Sequence, residues 1–137
     1  MKLSARNQVK GIVKSIEKGA VNAIVTLEAG DALIKGTISL DGVSELELAK
    51  GKEAVAIVKA TEVLVGVGSL KLSARNQFAG KVTSIKEGAV NGIVTIISGA
   101  LTLSATISVE AIKELELTVG CDAIAVIKAT SVMFGSF

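Results

Sequence analysis

Residues 9–39 read VKGIVKSIEKGAVNAIVTLEAGDALIKGTIS, three apolar and β-branched runs separated by two turn signals. Over residues 9–16, Val9, Gly11, Val13 and Ser15 alternate with Lys10, Ile12, Lys14 and Ile16, the period of a strand. Glu17-Lys18-Gly19-Ala20 turns the chain, residues 21–28 form a second strand, and the two make a hairpin. Ala29-Gly30-Asp31 turns it again into a third strand over residues 32–39. Working outward, residues 40–50 predict a short helix closed by Gly51. Residues 53–59 are nearly all apolar on both faces, with charges only at Glu53 and Lys59, which places this fourth strand at the centre of a sheet. A short fifth strand is expected over residues 62–65.

The whole pattern occurs twice. Residues 2–67 align with 71–136 at a constant offset of 69, without a gap, and 34 of the 66 pairs are identical. Leu3-Ser4-Ala5-Arg6-Asn7-Gln8 recurs as Leu72-Ser73-Ala74-Arg75-Asn76-Gln77, and Thr37-Ile38-Ser39 as Thr106-Ile107-Ser108. Duplication explains such identity and chance does not. In the second copy Ser108 stands at the N-cap position, Glu110 and Ala111 suit a first helical turn, and Gly120 closes the segment. Three strands, a helix and two strands suit a small closed barrel of the OB type. The expected fold is therefore all-β: two tandem OB-fold-like five-stranded barrels, each with one short helix between strands three and four. The expected modules are residues 1–67 and 71–137, joined by the short linker Val67-Gly68-Ser69-Leu70. A module of that size buries only about 60% of its unfolded surface, so the two copies should pack together.

Composition excludes several function classes. Half of the 137 residues are hydrophobic, but there are three Phe and no Tyr or Trp, so the core is aliphatic. A net charge of +2 and the scarcity of aromatic rings argue against a nucleic-acid surface. The chain has no His, which removes the commonest general base and metal ligand. Its single Cys121 corresponds to Lys52 in the other copy and reads as a bystander. No apolar run approaches the roughly 20 residues of a membrane span, and no signal-peptide core opens the chain. A cytoplasmic location is expected. No Ser/His/Asp set, phosphate loop or carboxylate cluster appears, so an enzyme is not expected.

Charge retention points to a site. Only Lys2/Lys71, Arg6/Arg75, Glu45/Glu114, Glu47/Glu116 and Lys59/Lys128 keep the same charged residue in both copies. Glu17-Lys18 becomes Lys86-Glu87 and Lys35 becomes Ser104, as on a solvated face. Glu45 and Glu47 flank the core anchors Leu46 and Leu48 and read as structural. Arg6 lies in the polar run Ser4-Ala5-Arg6-Asn7-Gln8, which reads either as a strand entry or as an anion site built from a guanidinium fork and neutral donors. Lys59, at the end of a buried strand, either snorkels to solvent or faces an anion. Thr61, backbone amides near Ala60 and the Ser39 hydroxyl add donors.

These strings, with Gly-Ala-Val-Asn at residues 19–22 and 88–91 and Val-Ile-Lys-Ala-Thr-Ser-Val-Met late in the chain, resemble the molybdopterin-binding-protein-like Mop domain. Two in tandem resemble a di-Mop molbindin, a TOBE-like family of molybdate-binding domains. The resemblance covers nearly the whole chain. It implies an OB-like barrel, a homotrimer of tandem chains, and molybdate or tungstate held as oxyanion at module interfaces, with no organic cofactor, nucleic acid or membrane partner. It implies contacts from Ser4, Arg6, Asn7, Ser39 and Lys59, with amides at Ala5 and Ala60, and from Ser73, Arg75, Asn76, Ser108 and Lys128, with amides at Ala74 and Ala129. The role implied is molybdenum storage and homeostasis; a molybdate-dependent sensor or interaction module is the alternative. The chain departs from regulator relatives at Gly42 and Ala111, where those carry a hydroxyl, and Ser98-Gly99-Ala100 lacks the acid present as Asp31. The turns at residues 19–22 and 88–91 read as turns, the alternative being a second class of site on backbone amides.

Overall fold

The computed structural model describes residues 2–69 and 71–137; of the linker, Leu70 lies outside the described residues. The first repeat contributes β1 (Asn7–Lys18), β2 (Asn22–Ala29), β3 (Ala32–Ser39), α1 (Leu40–Glu45), β4 (Glu53–Val58) and β5 (Leu64–Gly66). The second contributes β6 (Asn76–Glu87), β7 (Asn91–Ser98), β8 (Leu101–Ser108), α2 (Val109–Glu114), β9 (Asp122–Ile127) and β10 (Met133–Ser136). Two 3-10 turns, Ala60–Glu62 and Ala129–Ser131, precede β5 and β10.

The expected element order holds, with β1 and β6 longer than their alternation suggests. A β-bulge explains the length. The register shifts between Val13 and Ser15, leaving Lys14 as the extra residue, so that Val13 faces Leu27 and Ile16 faces Val25. Inward positions thus change from odd to even within one strand. The same shift lies between Val82 and Ser84. Gly11 and Gly80 stand where β1 and β6 run closest to their neighbours: a Cβ there would collide with the carbonyl oxygens of Glu28 and Ile97.

β4 is central, as its double-sided apolarity predicts. It pairs with β1 on one side, and every residue from Ala54 to Val58 is buried. On its other side the structure departs from expectation. The strand paired with β4 is β10 of the second repeat, while β5 of the first repeat pairs with β9. The two sheets run β10-β4-β1-β2-β3 and β5-β9-β6-β7-β8. Each repeat gives its last strand to the other, so each curled sheet is built from both copies. The hydrogen-bonded ladder is open between β3 and β10, and between β8 and β5; each unit is a half-barrel whose remaining gap is lined by side chains.

Packing explains the exchange. Gly36 on β3 leaves the space that the Phe134 ring of β10 fills; a Cβ at Gly36 would overlap that ring. In the other sheet the equivalent pair is Ala105 and Val65. One core combines a very small residue with a large one, the other two of medium size. A single apolar cluster runs through both sheets, from Val13, Val25 and Leu27 to Val94, Ile96 and Leu103.

Candidate anion site at the repeat seam

The segment before β1 carries Ser4, Ala5 and Arg6. Gln8 holds its shape: the carboxamide Nε2 donates to the carbonyls of Leu3 at 3.0 Å and Ala5 at 2.8 Å. Across planar trans peptides, those carbonyls turn the Ser4 and Arg6 amides the opposite way. Gln77 repeats the arrangement on Leu72 at 3.0 Å and Ala74 at 2.9 Å. Both glutamines recur in the sequence, and their positioning role was legible only as part of the retained run.

At the far end of β4, Lys59 caps the 3-10 turn, its carbonyl accepting from the Glu62 amide at 2.9 Å. The amides of Ala60 and Thr61 open that turn and have no backbone acceptor among the described residues. Ser4, Ala5, Arg6, Lys59, Ala60 and Thr61 line one cavity of about 530 Å³, together with Thr106 on β8 of the other repeat. Its apolar wall is Leu3, Ile57, Met133 and Phe134. Arg6 also borders a groove lined by Lys86, Glu87, Gly88, Asn91 and Thr106, at the β6–β7 turn. Neither Arg6 nor Lys59 has a carboxylate within 4.0 Å among the described residues; the ion pairs there are Lys14–Glu28 and Lys81–Asp122, elsewhere on the surface. Asp122 holds the Lys81 ammonium above its ordinary pKa by hydrogen bond and charge. Two cations, hydroxyls and open amides around one cavity can hold an anion.

The second copy repeats the parts. Ser73, Arg75 and Lys128 are exposed, Ala74 half-buried and Ala129 buried, and β3, carrying Thr37, packs against the turn Ala129–Ser131. Each cluster therefore takes its threonine from the opposite repeat.

Asn7 and Asn76 turn their side chains to the backbone of the opposite repeat. Both are buried. Asn7 Nδ2 donates to the Ser104 carbonyl at 2.8 Å, and its Oδ1 accepts from the Ser104 amide at 2.7 Å. Asn76 grips Lys35 in the same way at 2.7 and 2.8 Å. A carboxamide engaged at both ends with β8 or β3 ties the repeats together and is not among the groups lining the cavity. Ser39 and Ser108 are helix caps, each Oγ accepting at 3.0 Å from the amide of Gly42 or Ala111. The hydroxyl that faces the first cavity from β8 is Thr106, two residues before Ser108. Thr37 and Thr106 were visible in the retained Thr-Ile-Ser string but hidden beside the more obvious serine.

Fold and seam define a class of protein: paired small β modules that exchange a strand and gather cations and hydroxyls where they meet. The chain belongs to the TOBE-domain family, whose model matches residues 3–65 and 72–134. The molybdenum transport protein ModE of Herbaspirillum seropedicae is 38% identical over 137 residues, covering 97% of this chain and 51% of its own length. The chain thus spans about half of that relative. A probable molybdenum-pterin-binding protein of Haemophilus influenzae is 59% identical over 68 residues, covering 49% of this chain and 99% of its own. The crystal structure of the cytoplasmic molybdate-binding protein ModG, with molybdate bound, matches with a TM-score of 0.96 at 42% identity over 100% of both chains.

Proposed function

We propose that this protein captures molybdate as the intact tetrahedral dianion, at the Ser4/Arg6/Lys59/Thr106 cluster and its counterpart, and performs no chemistry on it. The observation that carries this reading is the pair of retained cations, with no carboxylate within 4.0 Å among the described residues, lining one cavity with hydroxyls from both repeats. A buried dianion is costly unless its oxygens gain donors, and charge-assisted bonds from Arg6 and Lys59 offset that cost. The molybdate named for ModG, which is similar along its whole length, supports the choice of ion. Tungstate, equal in charge and nearly equal in size, binds comparably, and no organic cofactor is required.

The cavity is larger than one tetrahedral ion. Its lip includes Leu3 and Met133, 48% and 47% exposed. Trimerisation, as the Mop resemblance implies, would cover that apolar lip and enclose the ions. The role that follows is storage and homeostasis of cytoplasmic molybdenum, without nucleic-acid or membrane partners. The 38% identity to ModE favours one second reading, a sensor whose ion controls a partner protein. Co-purification of a partner only with molybdate present would select it.

Calorimetric titration with molybdate, tungstate and sulfate tests the reading. Molybdate and tungstate should saturate the protein where sulfate gives little heat; equal weak heats for all three would sink it. R6A combined with R75A should abolish binding and leave the assembly folded.

A further inference from the structure

We infer that the two clusters differ in strength, and that Lys35 makes the one built on Arg75 and Lys128 the tighter. This rests on the molybdate reading above. The observation is the placement of a residue that differs between copies. Strand side chains alternate faces, so Lys35 and Thr37 share one face of β3, and Ser104 and Thr106 share one face of β8. Thr106 lines the first cavity, beside Lys59 and Ala60. Thr37 holds the equivalent place on β3, which packs against the turn that follows Lys128.

The backbone at residues 35 and 104 is anchored beside each arginine. Asn76, next to Arg75, is bonded to the Lys35 amide and carbonyl at 2.8 and 2.7 Å. Asn7, next to Arg6, is bonded to Ser104 at 2.7 and 2.8 Å. The second cluster thus has a cation on its threonine-bearing strand where the first has a hydroxyl, and the Ser104 hydroxyl lies 3.5 Å from Thr95. Lys35 has no ion-pair partner within 4.0 Å among the described residues, so its charge is available to the site.

Other charges do not cancel this difference. Glu62 lies 3.2 Å from Ser131, its own counterpart in the other copy, and so sits between the clusters and acts on both. Lys86-Glu87, which line a groove with Arg6, and their counterparts Glu17-Lys18 in the first repeat are each neutral in sum. One extra positive charge roughly 8 Å from a dianion in a water-like medium strengthens binding on the order of fivefold.

Each cluster is read alone in the full chain by disabling the other. Molybdate should bind R6A, which leaves the second cluster, about fivefold more tightly than R75A at low salt. Adding K35S to R6A should remove that advantage, while adding it to R75A changes nothing. Adding S104K to R75A should raise the first cluster to match. About 0.5 M salt should shrink the gap. If R6A and R75A bind equally, or K35S leaves R6A unchanged, the inference is overturned and the molybdate reading stands. If the unmodified protein takes up no molybdate, both fall.

Discussion

Gln8 makes no bond to any anion in the proposed site, yet it sets the shape of the segment that does. Its two bonds to the Leu3 and Ala5 carbonyls fix an exposed stretch that has no ladder of its own. Q8A with Q77A should therefore weaken molybdate binding about tenfold, through lost preorganisation, with little change in melting temperature. An unchanged affinity would show that the segment is held by something else. Arg6 and Lys59 could be singled out in the sequence because they persist where most neighbouring charges are exchanged. Asn7 persists equally, and its carboxamide is engaged with Ser104 of the other repeat. Retention between two copies registers constraint without naming its cause: a carboxamide gripping Ser104 and a guanidinium facing a cavity leave the same mark.

Among the elements, the helix ends are under local strain. Glu47 and Glu116, each directly after a helix cap, have φ of 54° and 53°, the left-handed region that glycine prefers. The Glu47 amide bonds to the Ser44 carbonyl at 3.1 Å and the Leu48 amide to that of Val43 at 3.0 Å, closing α1 as a Schellman turn. Leu48 and Val43 both enter the core. These retained glutamates hold a demanding backbone position, which agrees with their structural reading. Relief of the left-handed conformation is worth about 1 kcal/mol, and glycine's greater freedom when unfolded returns part of it. E47G with E116G should raise the melting temperature by about 3 °C in total and leave binding unchanged. A fall would mean that the carboxylates themselves make a needed contact. Strand positions were legible from alternation, except at Lys14 and Thr83, where a bulge breaks the period without a glycine or proline to announce it.

At the level of the molecule, the strand exchange was not legible from local pattern, because β5 and β10 look alike whichever sheet they join. Its signal lay in the difference between copies: Phe134 fits against Gly36, not against the Ala105 of its own repeat. Two positions that face their own counterparts show the same complementarity. The Ala100 amide donates to Asp31 at 3.4 Å and the Ser131 hydroxyl to Glu62 at 3.2 Å. The first repeat supplies both carboxylates and the second both neutral donors, so the first repeat would repel a copy of itself. A100D with S131E makes the two faces alike, and should lower the melting temperature by about 3 °C at low salt and by much less at 1 M salt. Moving the charges across, by adding D31A and E62S, should restore it; failure to restore would assign the effect to local distortion.

The exchange also sets a timetable for synthesis. β4 ends at Val58, and the strand that covers its free edge begins at Met133, 75 positions later. At 5–20 residues per second the ribosome leaves that edge uncovered for roughly 4–15 s. In that interval the nascent first repeat either exposes a sticky apolar edge or borrows β5, with Val65 too small to fill the hollow over Gly36. Such a provisional pairing is easily surrendered. Emergence of Phe134 from the exit tunnel is then the event that commits both halves to their mature partners.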